Sequence, residues 1–326
     1  MKYLLRRLGF YILALWASIT INFFLPRLLP GDPAGTILGG AGGATLDPEQ
    51  VKALKEALGL SDAPLPEQYL TYLTHVLRFD FGTSFSFFPA PVSTVIGTGL
   101  IWTLLLGTTS VILSFIFGNL IGIFGSWRRG GVVDTFVPPL LIFIGAFPPF
   151  FLALVAFYFL GTQLNWFPSG HAYSDNLIPG YSLEFVGSII AHLALPALVL
   201  ILVSMGSWAL GMRNVMVGVL AEDYITMAEA KGLSQRRIMF MYAARNAMLP
   251  GITSFGIALG FVLSGQILIE QIFSYPGLGF LLIRAVSSLD YPLMQGLFLM
   301  ITLAVLIANF IVDIFYTRLD PRVRAE

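Results

Sequence analysis

The sequence predicts an all-α, polytopic membrane protein with six transmembrane helices. Three observations carry that reading. The 326 residues are 56% hydrophobic and 11% charged, with a mean hydropathy of +0.82, whereas a soluble chain carries about 25% charge. The apolar residues fall in long runs of about 20, the length that crosses a hydrocarbon core about 30 Å thick. Lys and Arg, finally, are distributed unevenly between alternate connections.

The first run spans residues 8–25 and follows Lys2, Arg6 and Arg7. That basic start resembles a signal peptide, but the apolar stretch is too long and lacks a small-x-small cleavage site, so it reads as a retained span. The second covers about 100–124, the third 136–160, the fourth 187–210, the fifth 248–269 and the sixth 293–315. Thirteen of the 18 basic residues lie on one side, in the N-terminus, at Arg128 and Arg129, in the segment from Arg213 to Arg245, and in the tail with Arg318, Arg322 and Arg324. The other side keeps Arg27, Lys52, Lys55, Arg78 and Arg284. Both termini are therefore expected in the cytoplasm, as an even number of spans requires.

Two connections are too long for simple turns. The outer one, about 30–99, is expected to form a small helical lobe. Its first helix is capped by Asp47, starts at Pro48, carries Val51, Leu54 and Leu58 on one face and ends at Gly59. Its second begins at Pro66 with Tyr69, Leu70, Leu73 and Leu77 on its apolar side. The aromatic, Pro-rich stretch 79–91 leads back to the bilayer. The inner connection, 211–246, is polar, two-signed and helix-prone. The domain reading is thus 1–29 for the N-terminus and first span, 30–99 for the external lobe, 100–317 for a five-helix core, and 318–326 for a cytoplasmic tail.

Composition also excludes function classes. Net charge is zero, 18 basic against 18 acidic residues, so no basic excess exists to hold a nucleic acid. With no cysteine and His only at 75, 171 and 192, there is no disulfide, thiol nucleophile or Cys-type zinc site. His75 and His171 are expected to face water, and His192 to be packed or interfacial. Within the six span limits the only Asp, Glu, Lys or Arg is Asp313, which argues against an ion-coupled carrier, because coupling ions need such groups near the midplane. Glu270, just beyond the fifth span, reads as an interfacial carboxylate in water, with a vestibule-lining role as the alternative. Pro138, Pro139, Pro148 and Pro149 are expected to kink or unwind the third span, for helix packing or to build a path. No G-x-x-x-x-G-K-[ST] run exists to cradle a nucleotide. The string Leu263-Ser264-Gly265-Gln266 matches an ATPase signature in four letters but lies inside an apolar run.

The run from Tyr224 to Pro250 reads as a short helix, a Gly, and a second helix leading into the fifth span. Ala228, Ala230 and Gly232 are small enough to admit a close partner surface, and Arg236, Arg237 and Arg245 hold the second helix at the membrane face. Here the chain resembles the permease subunits of ATP-binding cassette importers, in the dipeptide and oligopeptide subfamily. The matching strings are A-x-A-K-G-L at 228–233 and R-N-A-x-L-P at 245–250. Thr226, Met227 and Ala228 stand where sugar-transport permeases of this class have Glu-Ala-Ala. Further likenesses are L-P-G-D-P at 29–33, D-F-G-T-S at 80–84, Y-P-G-L-G at 275–279, D-Y-P at 290–292 and L-D-P-R at 319–322. With the loop run counted once, six such strings in order cover nearly the whole chain.

The resemblance implies the type I importer permease fold and no chemistry on this chain. It implies a homologous second permease, two ATPase subunits that bind ATP and Mg, and an extracytoplasmic solute-binding protein, in a bacterial or archaeal inner membrane. It assigns ATPase coupling to Tyr224, Ala228, Glu229, Ala230, Lys231, Gly232, Leu233, Arg236 and Arg237. Pro148, Pro149, Gln266 and Glu270 are the candidates for a translocation path or gate. The implied solute is a dipeptide or oligopeptide, with short oligosaccharides and nickel complexes as alternatives. Outside this class stand an ion-coupled carrier and a non-transporting scaffold.

Overall fold

The computed structural model describes residues 2–28, 63–262 and 266–319, with side chains described from residue 9 to residue 310 within those ranges. The expected helix at 47–59 and the tail 320–326 lie outside the described residues. Those described are mainly helical, with no β-strand among them and an isolated bridge between Thr83 and Pro91.

The helices are α1 (Lys2–Leu28), α2 (Leu65–Leu77), α3 (Val92–Trp127), α4 (Val132–Gly145), α5 (Pro149–Ala156), α6 (Leu183–Val219), α7 (Asp223–Ala230), α8 (Gln235–Arg237), α9 (Arg245–Phe261), α10 (Ile267–Ile272), α11 (Leu278–Ser287) and α12 (Tyr291–Leu319). Two π-helical segments, Phe157–Gln163 and Ile238–Ala244, continue α5 and precede α9. Four helices are each long and apolar enough to cross a membrane: α1 over Gly9–Leu28, α3, α6, and α12 over Tyr291–Phe310. The third expected span is a broken one, Val132–Gly145 and Pro149–Gln163, bent by 96°. The fifth expected span is taken up by α9, which starts at Arg245, and α10, on either side of residues 263–265.

The break in the third span follows from two adjacent prolines. Pro149 takes the first helical position of α5, where no N–H is needed, and its ring bars the preceding residue from the α region. Pro148 is accordingly extended, with ψ 133°. Pro138 and Pro139, by contrast, lie inside α4 without ending it, so only the second proline pair breaks the span.

The chain divides into two compact units, and α3 passes from one into the other. The first comprises residues 1–103, 263–267 and 276–326. Its core joins Val92, Val95 and Ile96 of α3 to Leu278, Leu281 and Leu282 of α11 and Leu293 and Leu297 of α12. Helix α1 packs on α12, with Tyr11 edge-on to Phe310. Helix α2 rests on α1 through Tyr69 and Tyr72 against Phe23, ring centroids 5.2 and 5.5 Å apart. That contact sets the register of α2: Tyr69, Tyr72, Leu73 and Val76 face inward, while Leu70 and Leu77 are 62% and 79% exposed. The expected face, with Leu70 and Leu77 inside, is therefore rotated in the structure by the aromatic contact with α1.

The second unit comprises residues 104–262 and 268–275. Its long axis is α6, which packs on α4, α5 and α9. Gly118 and Gly122 of α3 let that helix approach α6 at Trp208, Ala209 and Met212, the close helix contact that small residues permit inside a membrane.

Candidate functional site

Helix α7 and the turn after it form a built element. Ile225 and Ala228, three residues apart on one face, are buried, and Ala228 is 3% exposed. Both join a core of Met212 and Met216 from α6, Ile123 from α3, Ile238, Met239, Ala243 and Ala244 from the π segment, and Ala247 from α9. The small side chain of Ala228 thus serves packing within the chain, and the expected close approach of a partner at Ala228 does not occur at that atom. Tyr224, Thr226, Met227, Glu229, Ala230 and Lys231 point outward instead.

The helix ends in a complete Schellman motif. Leu233 N donates to Ala228 O (3.3 Å) and Gly232 N to Glu229 O (2.8 Å), the paired bonds that satisfy the last carbonyls of a helix. Gly232 has φ +72°, the left-handed conformation that glycine adopts without penalty. Leu233, one residue further on, packs against the core that contains Ala228. The Gly at this position is therefore a backbone requirement, and a side chain there would project into open space.

Beyond the turn, Ser234, Arg236, Arg237, Phe240, Met241, Tyr242 and Arg245 line one groove. Asn246 Nδ2 donates to Tyr224 Oη and to Tyr242 O, both at 3.0 Å, tying the first helix of the loop to the start of α9. The nine coupling residues read from the sequence are thus gathered into one element, seven on its outer surface, with Ala228 buried and Leu233 half-buried.

The candidate path residues are placed differently. Pro148 and Pro149 form the bend between α4 and α5. Gln266 is half-buried immediately before α10. Glu270, expected in water, is 0% exposed, and its backbone carbonyl accepts from Tyr275 N (2.7 Å). Burial, with the neighbouring Glu270 charge, raises the pKa of the Tyr275 hydroxyl.

Three polar constellations stand out, and two of them, around Asp290 and Asp134, escaped sequence reasoning. Asp290 is fully buried and accepts from Ser84 Oγ (2.5 Å), Ser86 N (2.8 Å) and Leu293 N (3.1 Å). It caps α12 and pins the 84–86 turn, so two of the matching strings, D-F-G-T-S and D-Y-P, meet in space. His192 is held between Gly170 O (2.6 Å) and Ser174 Oγ (3.3 Å), a packed histidine as expected. Asp134 of α4 is gripped by Arg213 of α6. Both lie outside the expected span limits but inside the observed helices, which run further.

The family whose description is "binding-protein-dependent transport system inner membrane component" matches residues 118–325, and its N-terminal companion matches residues 1–95. The chain belongs to this family. It is a transmembrane permease component, built from the type I importer fold, and between them the two matches leave residues 96–117 uncovered. The di/tripeptide transport system permease protein of Pseudomonas aeruginosa is 32% identical to it, over 100% of this chain and 99% of the relative. The dipeptide transport system permease protein of Lactococcus lactis is 32% identical and the glutathione transport system permease protein of Salmonella typhimurium 35%, each over 99% of both chains. The permease thus aligns from end to end with proteins that carry this role in their names, and the segment 30–62 is included in that alignment.

Proposed function

We propose that this permease forms one half of the path by which a bacterial importer takes up short peptides. A homologous second permease completes the path, a solute-binding protein delivers the peptide from outside, and two ATPase subunits holding ATP and Mg work from the cytoplasm. The observation that carries this reading is the end-to-end similarity to permeases named for dipeptides, tripeptides and glutathione, itself a tripeptide. Those names favour a peptide over an oligosaccharide or a nickel complex.

In this reading the termini and the α7 element lie in the cytoplasm, on the side rich in Lys and Arg. The outer surface of α7, with Tyr224, Met227, Glu229 and Lys231, together with Gly232, Arg236 and Arg237, receives the ATPase. Nucleotide binding shifts the inward and outward equilibrium only through contacts that differ between the two states, and α7 is where such contacts reach this chain. Pro148, Pro149 and Gln266 line the path, and the buried Glu270 belongs to its gate. The test is reconstitution in proteoliposomes with the ATPases and binding protein, followed by uptake of labelled di- and tripeptides. ATP-dependent uptake is expected. Uptake driven by an ion gradient without the ATPases would make it a secondary carrier, and no flux with any partner a scaffold.

A further inference from the structure

We infer that the Asp134–Arg213 pair is the joint that carries displacement of α7 to the bend in the third span, an inference that rests on the reading of this chain as an ATP-driven permease. Arg213 Nε and Nη2 donate to the two carboxylate oxygens of Asp134, the second at 3.2 Å, and Gly130 N also donates to Oδ2 at 3.0 Å. The Asp134 side chain is 7% exposed and that of Arg213 32%. A forked guanidinium–carboxylate pair fixes orientation as well as distance, which a point charge or an apolar contact does not.

Its position gives the fork a mechanical role. Met212 and Met216, on either side of Arg213 in α6, belong to the same core as Ile225 and Ala228 of α7. Movement of α7 therefore acts directly on the last turns of α6. From Arg213 the contact between α6 and α4 continues as an antiparallel seam. A Cβ on Gly206 would lie 2.8 Å from the carbonyl carbon of Leu141, and one on Gly145 2.7 Å from Val203 O. Both distances are shorter than real Cβ contacts, so the two backbones touch. Residue numbers rise along α4 as they fall along α6, from 134 opposite 213, to 141 opposite 206, to 145 opposite 203. The seam ends at Gly145, where α4 stops and the bend at Pro148 begins. Glycine contacts locate the two helices side by side, but they are apolar and neutral. The fork is the directional lock of the seam, at the end nearest α7. Arg129 Nη2, donating to Val217 O at 2.9 Å, ties the turn before α4 to α6 beside it.

Asp134 and Arg213 are positioning residues, since neither touches the solute in this account. The test uses the complete transporter in proteoliposomes and reads solute imported per ATP hydrolysed, a ratio that a merely structural residue leaves unchanged. In Asp134→Asn, ATP hydrolysis should persist while that ratio falls about tenfold, within the range usual for coupling between sites. Arg213→Lys keeps the charge and loses the fork, and the ratio should fall several-fold. An unchanged ratio in either variant that assembles overturns the inference. Should Asp134→Asn fail to assemble, Arg213→Lys decides. Failure of the permease reading has a different signature, since the wild-type complex itself would then show no ATP-dependent uptake.

Discussion

At the scale of single residues, two positions show how a local backbone or hydrogen-bond demand fixes a residue type. Gly232 holds φ +72° with nothing near its Cβ position, so any side chain costs only the left-handed backbone, about 1–2 kcal/mol for an L-residue. That is too little to unfold the protein but enough to refold the turn that presents α7. Gly232→Glu is expected to insert and express like the wild type and to lose ATP-driven uptake. Normal transport with unchanged stimulation of hydrolysis would remove Gly232 from the coupling element. Asp290 makes the opposite case. Its carboxylate is fully buried and accepts from Ser84 Oγ, Ser86 N and Leu293 N. Asp290→Ala removes a helix cap, worth about 1 kcal/mol, and strands a buried hydroxyl and N–H at about 1–3 kcal/mol each. The thermal unfolding midpoint in detergent should fall substantially, by an amount matching about 3 kcal/mol.

At the scale of elements, what the sequence could reveal depended on whether the signal was local. The broken third span was legible, because Pro148-Pro149 denies the helix both an N–H and an allowed conformation at Pro148. Pro149→Ala lifts that restriction, and spin labels on exposed side chains of α4 and α5 should then report a longer separation as the 96° bend opens; the absence of native cysteine makes such labelling direct. The end of α7 was legible too, since a Gly after a helical run marks a left-handed cap. The face of α2 was not, because Leu70 and Tyr72 are both apolar enough to be buried and only the rings of Phe23 on another helix decide between them. The same holds for Ser84 with Asp290 and for Asp134 with Arg213. Each residue alone reads as an ordinary loop or helix-end group, and the partners are 206 and 79 positions apart in sequence. The burial of Glu270 was not legible for a related reason: an apolar run that ends at a carboxylate looks like an interface, and only the packing of the folded chain takes it out of water.

At the scale of the whole molecule, the zero net charge conceals a division that has a direct consequence. Arg128 and Arg129 lie between α3 and α4, and Lys231, Arg236 and Arg237 between α6 and α9, with Arg213 near the end of α6 and Arg245 at the start of α9. Short connections rich in Lys and Arg stay in the cytoplasm, so the proposed topology puts the α7 element in the compartment that supplies ATP and the segment 164–182 outside. The cysteine-free chain allows this to be checked one residue at a time. Gln235→Cys and Asn176→Cys replace exposed residues on the two sides and should leave uptake intact. In spheroplasts, a membrane-impermeant maleimide is expected to label Asn176→Cys and to reach Gln235→Cys only after the membrane is opened. The reverse pattern would place α7 outside, where no ATPase could engage it, and would overturn both the coupling assignment and the role given to the Asp134–Arg213 fork. Labelling of both from outside would mean that the chain does not separate the two compartments at α6.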